Sequence, residues 1–450
     1  MNKGSIFYCV ECGNEFVKWY GRCPVCNLWN TITEKKTYEF EQHTDKIIKE
    51  PVKINEINLS DLKRIDTKSI ELNRVLGGGI VPGSVILIVG EPGIGKSTLM
   101  LQFALRVKSI KTLYVSSEES EHQIKMRSER LKGKGENCWL LCTTNINDII
   151  IAIQKIKPDI VIIDSIQALH NNEKELLPGS IGSIKQNAYI LMNIAKQYNI
   201  PIFIVGHVNK EGIIAGPKII EHLVDVILVF EGEQTNSYRL LRAIKNRYGA
   251  IYEVGLFEMR QDGLKEITNP TNILADLTAP YKIGSVIGCV MEGIRPLIVE
   301  TQSLVNRAFY NNPLRIINGY ETKKVFILLA VIEKFFKIKM YNKEIFINIA
   351  GGFKINDQSL DLAIIVSILS SVLNIYIPID YCFIGEVGLN GEIRSSSNIE
   401  QKISEINKIG IKNVIIPSNT ELPKQISNLN IIKIGHIKNL DLKKLLTQNI

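Results

Sequence analysis

Three sets of residues in this 450-residue chain have the types and spacing to do chemistry. The first is the loop Gly90-Glu91-Pro92-Gly93-Ile94-Gly95-Lys96-Ser97, preceded by the apolar run 85–89 and followed, from Thr98, by the helical stretch 98–108. A strand, a Gly-x4-Gly-Lys-Ser turn and a helix together make a phosphate-binding loop. Gly93 and Gly95 let backbone N–H groups converge on phosphate oxygens, the helix N-terminus adds its positive end, and Lys96 neutralises the β- and γ-phosphates. Ser97 is placed to ligate Mg²⁺ through its hydroxyl, so the expected ligand is ATP with Mg²⁺.

The second set lies at the ends of other apolar runs. Residues 160–163 are all Ile or Val and end in Asp164, the carboxylate expected to hold the Mg²⁺ shell. Tyr114-Val115 leads into Ser116-Ser117-Glu118-Glu119, and Val205-Gly206 leads into His207. In an open parallel sheet the C-terminal strand ends share one crevice, so the loop, Glu118, Asp164 and His207 are expected to converge there. Glu118 is the expected base for the attacking water, with Glu119 second, and His207 the expected γ-phosphate sensor.

The third set is Cys9-x2-Cys12 and Cys23-x2-Cys26, two knuckles with ten residues between them. Four thiolates in two tight turns give a closed Zn²⁺ site with no open position, hence a structural metal. Cys138, Cys142, Cys289 and Cys382 lie in apolar or mixed surroundings and are expected to be small core residues.

The elements that must position these residues divide the chain into four stretches. Residues 1–30 form the cysteine module, too small to fold on apolar burial alone. Residues 31–65 are polar and charged and read as a linker. Residues 66–270 alternate short β-branched runs (85–89, 113–115, 160–163, 202–205, 226–230) with helical stretches, the pattern of a parallel sheet in an α/β domain. Residues 271–450 form a second α/β domain, with strands near 284–291 and 345–349, a helix near 360–373 and a strand ending at 414–416.

Lys and Arg exceed Asp and Glu by 54 to 46, which permits a polyanionic partner without requiring one. Eight cysteines in so long a chain are no disulfide scaffold, and a reducing compartment, the cytoplasm, fits them best. No basic segment followed by an apolar stretch and cleavage site points to secretion. The run 363–379 is broken by Ser367, Ser370, Ser371 and Asn374, so it reads as a buried helix and no membrane partner is expected.

In their order and spacing these residues resemble the bacterial RadA (Sms) family of DNA-repair proteins. The resemblance runs over nearly the whole chain: the cysteine knuckles, residues 76–84, the phosphate loop, Ser116 to Ser120, Ile163-Asp164-Ser165-Ile166-Gln167 and Gly206-His207-Val208. Ala215-Gly216-Pro217-Lys218, Glu221-His222 and Lys245-Asn246-Arg247-Tyr248-Gly249 extend it. It implies a RecA-like motor, dependent on ATP and DNA, that extends strand-exchange intermediates by branch migration. It further implies single-stranded and branched DNA as substrates, the RecA recombinase as a partner, and a hexameric ring. The family hallmark reads Lys-Asn-Arg-Phe-Gly, from which Tyr248 departs by one hydroxyl. By the same resemblance Lys245 and Arg247 couple nucleotide to DNA, reaching the phosphates of a neighbouring subunit as an arginine finger does. The segment 208–218 looks like a DNA-facing loop, with Lys210 and Lys218 as phosphate contacts.

Residues 349–361 and 385–393 resemble the proteolytic domain of the Lon family, which uses a Ser nucleophile and a Lys base. Ser359 falls at the nucleophile. Alignment of Asn398-Ile399-Glu400-Gln401-Lys402 places Glu400 at the base position, with Lys402 expected to point elsewhere. The expected fold is therefore a zinc ribbon, a RecA-like core with a mainly parallel sheet, and a Lon-like α/β domain without proteolytic activity. An ATP-dependent protease, or a nucleotide-gated scaffold without translocation, are the alternatives.

Overall fold

The computed structural model describes residues 6–35, 53–56, 63–171, 176–207, 220–232, 237–278, 281–308, 313–352, 354–422 and 429–442. The chain divides into two compact units, Met1–Glu266 and Ile267–Ile450.

The cysteine module is a three-stranded antiparallel sheet, with β1 (Ile6–Cys9) between β2 (Glu15–Phe16) and β3 (Ile32–Lys35). It runs past residue 30, the end expected from composition, because β3 gives β1 a second hydrogen-bonding edge in which Cys9 faces Ile32. Most of the expected linker, 36–52 and 57–62, lies outside the described residues.

The central sheet of the first unit has nine strands. They are β4 (Val85–Gly90), β5 (Thr112–Ser116), β6 (Cys138–Cys142), β7 (Ile160–Asp164), β8 (Ile202–His207), β9 (Val226–Glu231), β10 (Tyr238–Asn246), β11 (Val254–Arg260) and β12 (Gly263–Glu266). Their order is β12-β11-β10-β9-β4-β8-β7-β5-β6. From β9 through β6 every pairing is parallel, whereas β9 to β12 form an antiparallel meander.

Both faces of the parallel part are buried, so its strands are continuous apolar runs whose alternate residues feed two cores. Ile86, Ile88, Tyr114, Ile162 and Val205 face the helices α1 (Ile70–Val75), α2 (Lys96–Arg106) and α3 (Glu121–Arg130). Val85, Leu87, Val89, Leu113, Val161 and Ile204 pack with α4 (Ile146–Ile156) and α5 (Ile181–Tyr198). Local chemistry starts and stops these helices. Ser120 and Gln123 form a capping box at the start of α3, worth about 1 kcal/mol in comparable helices. Asn199 ends α5 in the left-handed conformation.

The second unit is built on a seven-stranded mixed sheet. Its strands are β13 (Tyr281–Ile283), β14 (Ser285–Glu292), β15 (Arg295–Arg307), β16 (Arg315–Asn318), β17 (Lys343–Ile349), β18 (Tyr376–Pro378), β19 (Tyr381–Phe383), β20 (Glu386–Val387), β21 (Ile393–Arg394), β22 (Asn413–Pro417) and β23 (Asn430–Ile434). The main sheet runs β16-β17-β15-β14-β19-β22-β23, while β13 with β18 and β20 with β21 make two small ribbons. The apolar run near residue 363 is the helix Asp361–Leu373, in which every residue from Asp361 to Ser370 is buried. Among the described residues no helix is long and apolar enough to cross a membrane.

Candidate functional site

Strand register brings the predicted residues to one level. Gly90 at the end of β4 pairs with His207 on one side and Phe230 on the other, while Asp164 pairs with Ser116 and Val205. Four strand ends of a parallel sheet thus open into one crevice, and the loop 90–97 crosses its floor before entering α2.

Gly95 has φ of +116° and caps α2 without a side chain. That backbone conformation demands glycine, and a Cβ there would also have to displace the Met259 methyl, 2.6 Å away. Ile94 is buried beneath the loop, while Glu91, Pro92 and Gly93 form its exposed lip.

Lys96 is 3% exposed, and its Nζ donates to the carbonyls of Gly90 (2.8 Å) and Glu91 (2.9 Å). Burial pulls its pKa down to about 8, against the opposing charges of Asp164 and Glu118. Triphosphate oxygens favour the ammonium, so nucleotide binding draws a proton onto Lys96 above that pH. Nucleotide affinity is therefore expected to be flat below pH 8 and to fall about tenfold per pH unit above it, a slope read by fluorescent-nucleotide titration. A flat profile to pH 10 would remove Lys96 from the phosphate contact.

Ser97 Oγ donates to Asp164 Oδ1 at 3.1 Å. A hydroxyl and a carboxylate oxygen at one point beside the phosphate loop fit a hard, oxygen-preferring Mg²⁺ ion. The other oxygen, Oδ2, accepts from the Tyr114 hydroxyl at 2.6 Å. Burial pushes the Asp164 carboxyl up, and the Tyr114 and Ser97 hydroxyls oppose that shift.

Sequence reasoning missed Tyr114 as part of the site. The available sign was one phenol between the aliphatic Leu113 and Val115 in β5, two residues before the crevice. Because it orients the metal carboxylate, Tyr114→Phe is expected to raise the Mg²⁺ concentration for half-maximal nucleotide binding about tenfold, with the core packing kept. An unchanged Mg²⁺ titration would make Tyr114 a core residue only.

The two adjacent glutamates part company. Glu119 is paired to Arg127, with its backbone N–H held by Ser116 Oγ. Glu118 turns the other way, accepts from Ser165 Oγ, and lies 3.7 Å from His207 Nε2. The Asp164–Ser165 peptide is cis. Burial and the nearby Lys96 lower the pKa of His207 below its ordinary value, which keeps the imidazole neutral at neutral pH. Its Nδ1 is buried with no hydrogen-bond partner among the described residues.

Lys245 and Arg247 are not part of this cluster within one chain. Asn246 pairs with Val226, which pairs with Ile86, so the two cations lie level with the start of β4. That is about four residues, roughly 13 Å of strand, from Gly90. Lys245 Nζ donates to the carbonyls of Glu221 (2.6 Å) and Val224 (2.8 Å), and burial lowers its pKa. Arg247 reaches the buried Asp225 at 3.3 Å and is otherwise exposed, while the Tyr248 hydroxyl accepts from Lys196 at 3.4 Å. The expected DNA-facing segment 208–218, with Lys210 and Lys218, lies outside the described residues.

In the cysteine module the four sulfurs lie within 4.8 Å of one another, with Cys9–Cys26 and Cys12–Cys23 at 3.6 Å. Zinc–sulfur bonds of about 2.3 Å in a tetrahedron give sulfur–sulfur edges of about 3.8 Å, so the residues fit Zn²⁺. Cys289 and Cys382 are fully buried core thiols, as expected, whereas Cys138 and Cys142 are partly buried on β6.

The base-position assignment in the second unit is corrected by the structure. Lys402, not Glu400, meets Ser359, with Nζ donating to Oγ at 2.8 Å. The segment is the helix Ile399–Ile409, whose inward face is Lys402, Ile403 and Ile406. Two residues along a helix rotate a side chain by about 200°, which sends Glu400 outward to solvent.

Three family models match the chain: a rubredoxin metal binding domain at residues 7–34, an AAA domain at 51–212, and the ChlI subunit of Mg-chelatase at 322–420. Among curated proteins, DNA repair protein RadA of Listeria monocytogenes is 43% identical over 95% of this chain and 96% of its own length. The Bacillus subtilis protein of the same name is 43% identical over 92% of each chain. The Chlamydia muridarum one is 41% identical over 96% of each.

Proposed function

The chain belongs to the RadA family of DNA repair proteins, and from that premise we propose that it is a DNA-dependent ATP hydrolase driving branch migration of recombination intermediates. The observation that carries the proposal is the convergence of Lys96, Ser97, Glu118, Asp164 and His207 at one end of the sheet, with Lys245 and Arg247 outside that cluster among the described residues. The candidate cations, Lys245 and Arg247, lie at the other end of the sheet. A ring in which each subunit's Arg247 end faces the next subunit's loop reconciles the two, and a homo-hexamer is the assembly this reading proposes.

In the resulting site the loop N–H groups and Lys96 hold the triphosphate, and Ser97 and Asp164 hold Mg²⁺, which offsets charge on the phosphates when bound. Glu118 accepts the proton of the attacking water, fixed in place by Ser165. Glu119, tied to Arg127, fixes the turn instead. Neutral His207 lies beside Glu118 and immediately precedes the segment 208–218 in the chain, so it is the residue through which loss of the γ-phosphate would reach the predicted DNA-facing loop. Zn²⁺ on the four cysteines holds the N-terminal module together.

Single-stranded and branched DNA are the substrates, the RecA recombinase is the partner, and the compartment is the cytoplasm. The second domain is without proteolytic activity in this reading, with Lys402 held by Asp357 at 2.8 Å. Steady-state ATP hydrolysis with and without single-stranded DNA tests the reading. Stimulation of several-fold or more is expected; equal rates would leave a nucleotide-gated scaffold.

A further inference from the structure

The turn that carries Arg247 is tied to a distant segment of the chain, residues 75–79, by side chains that the ATP site does not use. Asn246 is 9% exposed, and its amide works in both directions. Nδ2 donates to the carbonyl of Val75 (3.2 Å), and Oδ1 accepts the backbone N–H of Tyr248 (2.9 Å). Arg64 closes the other side. Its Nη1 donates to the carbonyls of Leu76 (3.2 Å) and Gly79 (3.3 Å), while Nη2 donates to the carbonyl of Tyr248 (2.5 Å). Between these ties the two backbones touch. A Cβ on Gly249 would stand 2.9 Å from Gly77 Cα, and a Cβ on Gly77 the same distance from Gly249 Cα.

The main chain of Arg247 is thereby held on both sides. Its own N–H donates to the carbonyl of Asp225 (3.2 Å), and the next residue is gripped at its N–H by Asn246 and at its carbonyl by Arg64. The Arg247 side chain, by contrast, is 56% exposed and touches Asp225 through one nitrogen. A fixed main chain beneath an exposed cation suits a residue that serves a site outside its own chain. Arg64 is itself exposed, so filling the core does not account for it. What its planar fork of donors does is set the separation of carbonyls from two segments. That precision matters for a cation meeting a transferring phosphoryl group, where an error of about 1 Å costs about 10²-fold in rate.

We propose that Arg64 and Asn246 are positioning residues for Arg247, a clamp that presents its guanidinium to the triphosphate bound by the next subunit; the clamp rests on the reading of Arg247 proposed above. Neither residue touches nucleotide. When Arg247 leaves Asp225 for the phosphate, only its side chain moves, because the turn 246–249 stays fastened to residues 75–79. Gly77 and Gly249 allow the two segments to lie close enough for both ties to form.

The test uses full-length, zinc-loaded chains, their fold checked by melting, and reads steady-state ATP hydrolysis with single-stranded DNA. Arg64→Ala and Asn246→Ala are each expected to lower kcat about 10²-fold with KM for ATP within about threefold of the wild type, since their own phosphate loops are intact. Mixing then shows which side of the interface has failed. Combined with Lys96→Ala, whose Arg247 turn is intact, either variant is expected to regain activity at about a quarter of the interfaces of a random ring. Combined with Arg247→Ala it should regain none. Regain with Arg247→Ala instead, regain with neither partner, or an unchanged kcat overturns the clamp. Arg247→Ala mixed with Lys96→Ala is the reference: if that pair regains activity and the clamp variants do not, the clamp alone falls, and if that pair also fails, the neighbouring-subunit reading falls with it. Should the clamp variants not fold, Gly249→Ala decides. Its φ lies outside the left-handed region, so alanine is allowed there, and the added methyl drives the turn away from Gly77. The same pattern of mixtures is expected, and the reverse pattern refutes the clamp.

Discussion

Glu118→Gln is expected to lower the single-turnover rate of ATP cleavage by about 10²- to 10³-fold while leaving nucleotide affinity within about threefold. The amide keeps the size of the carboxylate and its acceptor for Ser165 Oγ, so the turn survives. What it loses is the capacity to take a proton from water. The neighbouring carboxylate cannot replace it, because Glu119 is turned to Arg127 on α3. Glu119→Gln should therefore act differently, lowering stability through the broken ion pair by up to about 1 kcal/mol with less than tenfold change in the cleavage rate. Rapid-quench measurement on both variants, with nucleotide affinity measured separately, separates the roles. If Glu119→Gln is the slower enzyme, the assignment is reversed.

Arg247→Ala is expected to reduce DNA-stimulated turnover by about 10³-fold, the scale of losing an arginine finger. Its ion pair with Asp225 is retained in part by Lys196, which reaches the same buried carboxylate at 3.0 Å, so the variant should fold. The decisive form of the experiment mixes two inactive chains, one carrying Arg247→Ala and the other Lys96→Ala. If Arg247 completes the site of the next subunit, a random ring joins an intact loop to an intact arginine at about a quarter of its interfaces, and the mixture regains about that share of activity. If Arg247 served its own loop, the mixture would stay as inactive as its parents. Strand register favours the first outcome, since Arg247 follows Asn246, which lies level with the start of β4, whereas Gly90 is at its end.

The parallel core was legible because strands buried on both faces are written as short apolar runs rich in Val, Ile and Leu, and β5, β7 and β8 each end in a polar residue at the crevice. Glycines at 93 and 95, Lys96, Ser97 and Asp164 follow from the geometry of phosphate and metal binding, and the register of β4, β5, β7 and β8 brings them together. The meander β10 to β12 was not read, since half-exposed antiparallel strands mix polar and apolar residues in short runs.

Other misses have their own physical causes. Tyr114 was passed over because its role lies in a hydroxyl direction that only the folded strand fixes. Strand β3 was assigned to a linker because its Thr-Glu-Lys sequence is polar, although one edge of β1 needed a partner. The exchange of Lys402 for Glu400 was an error of helical phase. The motif alignment puts Glu400 at the base position, and only the buried face of Ile399–Ile409 shows that Lys402 meets Ser359 instead.

Whether ATP turnover at this site moves DNA is decided by a three-strand branch-migration assay on the zinc-loaded chain with ATP and Mg²⁺. Extension of preformed joint molecules by the wild type, absent in Lys96→Ala and Glu118→Gln, is the predicted result. ATP hydrolysis stimulated by DNA with no movement of the branch point would contradict it.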